Sequence, residues 1–344
     1  MNRDTHLRTL PPMNSALKTD LHETIKLSGP ARETPVDLST RANVSTGDEL
    51  SDYPPWEIGH SINGYVITNY VAIKDHHRIY RSIHPNLRIP VIMKCVSSRE
   101  PLMRETLIKH LSNERDILRT MNHNNIPRLW DYLEHEDTPI LVIEFIPEQS
   151  LSELLRKDKT LPPRKVLRIA KEINYALDAL TRQQIIHRDI KPGNIMLPPN
   201  GQAKLIDYGL SVIRDEEYTP VPMAQFQNVL GTAAYMSPEQ IENKELDHRS
   251  DWYSLGVTLY ECLTGKLPFE GTDRNRIALR HIREVPISPC SIDKSIPKTV
   301  SDFVMRMLNK RPDDRMSDHK TVDAEINALM LTCEMQRTTT ILSH

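Results

Sequence analysis

No run of about 18 apolar residues occurs in this chain, so no membrane-spanning helix is expected. The N-terminus also lacks the apolar core of a signal peptide. The expectation is a soluble, cytoplasmic protein, with secretion as an effector left open. Cysteine is scarce. Cys95, Cys262, Cys290 and Cys333 are scattered and show no CxxC spacing, which argues against a disulfide framework or a zinc site and for thiols in a reducing compartment. Excess charge is lacking too. A net charge of −2 gives no reason to expect nucleic acid or an anionic membrane as the main partner. Internal repeats are absent. Aromatic residues are missing until Tyr53 and Trp56, while the first 60 residues hold six prolines and many Ser and Thr. No apolar periodicity survives there, so residues 1–60 read as a disordered tail.

What is present begins near residue 62. Short β-rich runs occur at Tyr65–Tyr70, Arg78–Ile83, Val91–Val96 and Ile140–Phe145. Between the third and fourth, Arg104–Met121 carries Leu107, Leu111, Ile117, Leu118 and Met121 at helical spacings. Beyond about residue 150 helices dominate, with apolar stripes along Val166–Leu180 and Trp252–Leu263. This predicts an α+β fold of two lobes: a strand-rich lobe over 61–146 and a helical lobe over 147–330, followed by a C-terminal tail over 331–344. The crevice between lobes is the natural ligand site.

Chemistry concentrates in His187-Arg188-Asp189-Ile190-Lys191-Pro192-Gly193-Asn194 and, eighteen residues after Asp189, in Asp207-Tyr208-Gly209. In this order and spacing they resemble the catalytic loop and the metal-binding loop of protein kinases. Gly231-Thr232-Ala233-Ala234-Tyr235-Met236-Ser237-Pro238-Glu239 resembles the end of a kinase activation segment, and Asp251-Trp252-Tyr253-Ser254-Leu255-Gly256 the start of the central buried helix. The resemblance covers about residues 62–330 and is closest to bacterial serine/threonine kinases. It implies ATP and Mg²⁺ as cofactors and a protein substrate. In that pattern Asp189 orients the attacking hydroxyl and Lys191 stabilises the transferred phosphoryl group. Asn194 and Asp207 hold the metal. Lys191 is also the mark of the serine/threonine subgroup. Thr232 shapes the acceptor site, Glu239 pairs with Arg315, and a buried Asp251 takes catalytic-loop amides. The implied nucleotide-binding positions are Ala72, Ile79, Ile92, Lys94, Glu144, Ile146 and Met196.

The small lobe contains a decoy. Val71-Ala72-Ile73-Lys74 spells the motif of the nucleotide-binding lysine. Yet Val66 to Lys74 leaves eight residues, too few for two strands and a turn. Lys94 ends a run of strand formers and stands twenty residues before Glu114 on the predicted helix, so Lys94–Glu114 is the preferred ion pair. The loop that should read G-x-G-x-x-G then becomes Ala72-Ile73-Lys74-Asp75-His76-His77, without glycine. Lys74 is read there as a solvated lysine, with a contact to phosphate as the alternative. Ile92 replaces a small alanine and is expected to crowd the base between Ile79 and Met196.

Between Val212 and Gly231 the only hydroxyls are Tyr218 and Thr219. Arg188 therefore has Thr219 as its candidate phosphorylated partner, or Glu216 or Glu217 as a substitute, or activation needs no phosphate. Autophosphorylation is expected in the Ser/Thr-rich tail. The preferred function is a serine/threonine protein kinase. A pseudokinase serving as a binding or scaffold module, and a small-molecule phosphotransferase of related fold, stand as alternatives.

Overall fold

A computed structural model describes residues 56–98, 100–199, 201–214, 233–271 and 273–342, with backbone alone for 335–342. The tail before residue 56 and the segment with Glu216, Glu217, Thr219 and Thr232 lie outside the described residues.

Alternating apolar residues build a six-stranded antiparallel sheet. Its strands are β1 (Ser61–Ile62), β2 (Tyr65–Lys74), β3 (His77–Ile83), β4 (Pro90–Val96), β5 (Leu129–His135) and β6 (Thr138–Glu144), in the order β1-β2-β3-β4-β6-β5. Successive side chains point to opposite faces. One face carries Tyr65, Ile67, Tyr80, Val91, Met93, Cys95, Ile140 and Val142, which close into a small core of their own. Trp56 belongs with this face rather than with a free tail: its ring lies 5.3 Å from that of Tyr80, and its amide donates to the Tyr80 hydroxyl. The opposite face turns toward the helical lobe. Register places Ala72 opposite Ile79, Ile79 opposite Lys94, and Ile92 opposite Ile143, so these side chains share it.

β2 runs four residues past the expected Tyr65–Tyr70 and meets β3 in a two-residue turn. Asp75 and His76 both take left-handed backbone, φ 49° and 58°, the conformation a tight hairpin turn requires and usually obtains from Asn or Gly. The turn is tied down: the Ser97 amide and hydroxyl both donate to the His76 carbonyl, at 2.9 and 2.6 Å.

Helix α1 (Pro101–Leu118) crosses between β4 and β5. Glu100 caps it, accepting from the amides of Leu102 and Met103. Leu107, Leu111, Glu114, Ile117 and Leu118 form its buried face, so a glutamate stands in an otherwise apolar stripe and requires a cation.

The large lobe follows with α2 (Leu151–Asp158) and α3 (Pro163–Arg182), then the short strands β7 (Ile185–Ile186), β8 (Ile195–Met196), β9 (Lys204–Leu205) and β10 (Val212–Ile213). Next come α4 (Pro238–Ile241), α5 (Arg249–Thr264), α6 (Arg274–Arg283), α7 (Pro289–Ile292), α8 (Lys298–Met307) and α9 (His319–Leu342). A capping box of Ser150 and Glu153 opens α2. α5 is buried along almost its whole length and forms the lobe's axis. α8 crosses it closely at Gly256, where an added Cβ would stand 2.6 Å from Met307 Cβ. α9 continues through residue 331, so no break in structure occurs at the expected start of a C-terminal tail. Strand-rich and helical lobes thus form the expected α+β arrangement.

Candidate active site

The site is assembled by three backbone pieces that meet at the crevice: β4, α1, and the loops flanking β8 and β9. Lys94 faces the crevice from β4, and Glu114 faces β4 from α1. Lys94 Nζ donates to Glu114 Oε2 at 2.7 Å and to Asp207 Oδ1 at 2.9 Å. Burial alone would lower the Lys94 pKa, but Asp207 and Glu114 outweigh it and keep the ammonium charged. The other acidic residues near the start of α1 are engaged elsewhere: Glu100 in the cap and Glu105 with Lys109.

Between β7 and β8 the chain makes a loop whose shape is set from below. The Asp251 carboxylate, at the start of α5, accepts from the backbone amides of His187 and Arg188, both at 2.8 Å. Burial pushes the Asp251 pKa up to about 7 against the pull of those two amides. Asp189 is then presented toward the crevice. Its Oδ2 accepts from Lys191 Nζ at 2.8 Å and from Asn194 Nδ2 at 2.7 Å, and the same Asn194 nitrogen donates to the Asp189 carbonyl. The Asn194 amide is therefore oriented with its oxygen outward.

Asp207 has left-handed backbone, φ 73°. The loop after it is held by Asn113 of α1, whose Nδ2 donates to the carbonyls of Tyr208, Gly209 and Ser211. The Tyr208 ring meets the His187 ring edge-on at 4.9 Å. Sequence reading missed Asn113, because an asparagine on a helix carries no signal of what it will hold.

The two aspartates are driven apart. Burial raises Asp189, with Lys191 opposing. Burial would raise Asp207 too, but Lys94, Lys74 and Lys191 hold it well below the usual carboxylate range.

Lys74 departs from the expectation of a solvated side chain. It faces the crevice from the end of β2, and its Nζ donates to Asn194 Oδ1 at 2.6 Å and to the Gly193 carbonyl at 3.2 Å. It also lies 3.7 Å from Asp207 Oδ2. Period-two alternation with Ala72 and the register with His77 dictate this direction. Residue type alone gives only the usual fate of a lysine, which is solvent.

Among the nucleotide-binding positions, Ala72, Ile79 and Ile92 share the sheet face of Lys94 and are each partly buried. Met196 rises from β8, bridged to Ser150, and Ile146 is buried where the chain passes between lobes. Glu144 differs. Its carboxylate is engaged through Oε2, which accepts from Lys204 at 3.0 Å and from the Arg128 amide at 3.1 Å. Glu239 lies below the site, gripped by Arg315 through two bonds of 2.6 and 2.9 Å. A groove of about 420 Å³ opens beside Lys191, lined by Arg156, Lys159, Tyr235 and Glu261 among others.

Asp207 and Asn194 offer hard oxygen donors. Among the described residues no three His, Cys, Asp or Glu side chains group as a metal cage. That donor set fits Mg²⁺, which keeps its waters and takes one or two protein oxygens plus phosphate. A cationic group, the Lys74 ammonium, already fits between them. Among the described residues no helix is long and apolar enough to cross a membrane.

Comparison with known proteins agrees with this geometry. The protein kinase domain family matches residues 77–326, and the chain belongs to that family. A probable serine/threonine-protein kinase of Streptomyces coelicolor, SCO3848, is 37% identical over 212 residues, covering 60% of this chain and 31% of the relative. Serine/threonine-protein kinase pkn3 of Myxococcus xanthus is 31% identical over 259 residues, 73% of this chain and 47% of its own. Serine/threonine-protein kinase PknL of Mycobacterium tuberculosis is 31% identical over 266 residues, 77% and 65% respectively. The chain thus spans about a third to two thirds of the length of these relatives. The family match begins at His77, so β2 and its Lys74 precede it.

Proposed function

We propose that this chain is a serine/threonine protein kinase that transfers the γ-phosphate of ATP to protein hydroxyls, with Mg²⁺. The observation that carries this reading is the continuous chain of contacts from Glu114 through Lys94 to Asp207. With both ends of that chain engaged, the small lobe is tied to the loop that carries Asp207.

In this reading Lys94 grips the nucleotide phosphates, while Ile79, Ile92 and Met196 enclose the base. Asp207 would hold Mg²⁺, which when bound neutralises charge on the phosphate oxygens, and the Asn194 oxygen is the second cation-holding position of the site. Asp189 orients the acceptor hydroxyl and takes its proton. A pKa raised by burial suits it to that task more than an ordinary carboxylate. Lys191, kept charged by Asp189 although burial opposes this, faces the charge that develops on the transferred group. The groove beside Lys191 supplies space for the acceptor segment. Thr232 and Thr219, in the activation segment, are the proposed acceptor-shaping and phosphorylated residues, and the tail before residue 60 is the proposed autophosphorylation region.

The acceptor class follows from Lys191 and from the relatives, which are named as serine/threonine-protein kinases. Phosphoamino-acid analysis of the labelled protein tests it. Phosphoserine and phosphothreonine are expected, and a product dominated by phosphotyrosine contradicts the assignment.

A further inference from the structure

The glycine-free hairpin does more than close over phosphates. We propose that Lys74 is a resident cation that occupies the Asn194 end of the metal site, so that the chain takes one divalent cation there where the oxygen donors alone would admit a second. The inference rests on the reading of Asn194 and Asp207 as the cation-holding pair.

Three observations carry it. The first is position. Asn194 Oδ1 is the one atom of that amide directed away from Asp189, and Lys74 Nζ lies 2.6 Å from it. A metal ion and an ammonium cannot share that oxygen at such a distance. The second is charge. Asp207 stands between two ammonium groups, Lys94 on Oδ1 and Lys74 beside Oδ2. Lys74, Lys94 and Lys191 thus face Glu114, Asp189 and Asp207 across the crevice.

The third is stiffness. A glycine-rich loop samples wide backbone space. This hairpin is built of L-residues with two consecutive left-handed positions, and its turn is bound twice by Ser97. His77, next to the turn, is buried against the crevice, and its Nδ1 is bonded to the Asp75 carbonyl at 2.9 Å. The stem of Lys74 is thus held over the catalytic loop by the same features that replace the glycines. This favours a fixed cation over a latch that swings away.

The test uses Mn²⁺ as the probe, followed by its electron paramagnetic resonance signal, on the whole chain. Without nucleotide, Lys74→Met should bind Mn²⁺ about tenfold or more tightly than wild type, because a competing charge a few ångströms from the donors is gone. The gain should vanish in Lys74→Met/Asn194→Ala. With a non-hydrolysable ATP analogue, wild type should saturate at one Mn²⁺ and Lys74→Met at two. Thermal unfolding confirms that each variant is folded, and Lys74→Gln repeats the experiment if the methionine variant is not. Equal Mn²⁺ affinity in wild type and the Lys74 variant overturns the proposal, as does a gain that survives loss of Asn194. A chain with the Mn²⁺ difference but no phosphotransfer would keep this inference and remove the kinase reading. The converse result would do the opposite.

Discussion

Lys94 and Lys74 bring the same charge into one crevice from β4 and β2, and their surroundings decide what each does. Lys94 could be read from the sequence because two separate periodicities converge on it: strand formers behind it and a helical stripe containing Glu114. Lys74 could not, because its partners Gly193 and Asn194 lie more than a hundred positions away and no local pattern names them. The same holds for Glu239 and Arg315, whose pairing came from resemblance, whereas their burial is a structural finding. Removing one member leaves the other charged and buried. Glu239→Ala should therefore cost about 3–5 kcal/mol of stability, measured by urea unfolding. A loss under about 1 kcal/mol, the range of exposed pairs, would contradict this. His281 offers a pH test away from the crevice. Burial lowers its pKa to about 3, and Lys310 acts in the same direction. Its ordinary value is 6.5, so the unfolded chain takes up a proton first. Stability from this group is complete above pH 6.5 and is lost as pH falls toward 3. In His281→Phe the fall of the unfolding midpoint over that window should be shallower by one proton. An unchanged slope would show that His281 titrates normally in the folded protein.

Elements were legible where at least one face is buried and illegible where both are partly wet. β3, β4, β6, α1, α3 and α5 all stand within a few residues of their expected spans. β5 was missed because Leu129–His135 is an edge strand whose residues are nearly all half-exposed, with Asp131 and Glu134 interrupting any alternation. The extension of β2 to Lys74 was missed because its outer half is mostly exposed. Two predictions belong to this scale. Gly256→Ala forces a Cβ into the α5–α8 crossing and should destabilise the protein by about 1–3 kcal/mol. A neutral result in thermal unfolding would show that Met307 yields freely. Ile92 shares the crevice face with Ile79 and Lys94 and packs against the main core. Trimming it in Ile92→Ala should leave Mg²⁺/ATP affinity unchanged or tighter. A clear loss of affinity in a variant of unchanged unfolding temperature would make Ile92 a productive contact with the base.

For the molecule as a whole, belonging to the protein kinase domain family is established over residues 77–326, while the activity of this chain is a proposal that rests on the crevice. The two-lobed plan was legible because strand-period segments dominate before about residue 146 and helix-period segments after it, with one helix inserted among the strands. How closely the lobes engage was not, since it depends on contacts such as Lys94–Asp207 and Asn113 with the loop after Asp207. The most direct measurement is transfer of labelled γ-phosphate from Mg²⁺/ATP to protein by wild type and by Asp189→Ala. Wild type should incorporate label, and Asp189→Ala should do so about 10²–10⁴-fold more slowly while remaining folded. Equal incorporation by the two proteins, or none by a folded wild type, would contradict the assignment of Asp189 and with it the proposed kinase activity.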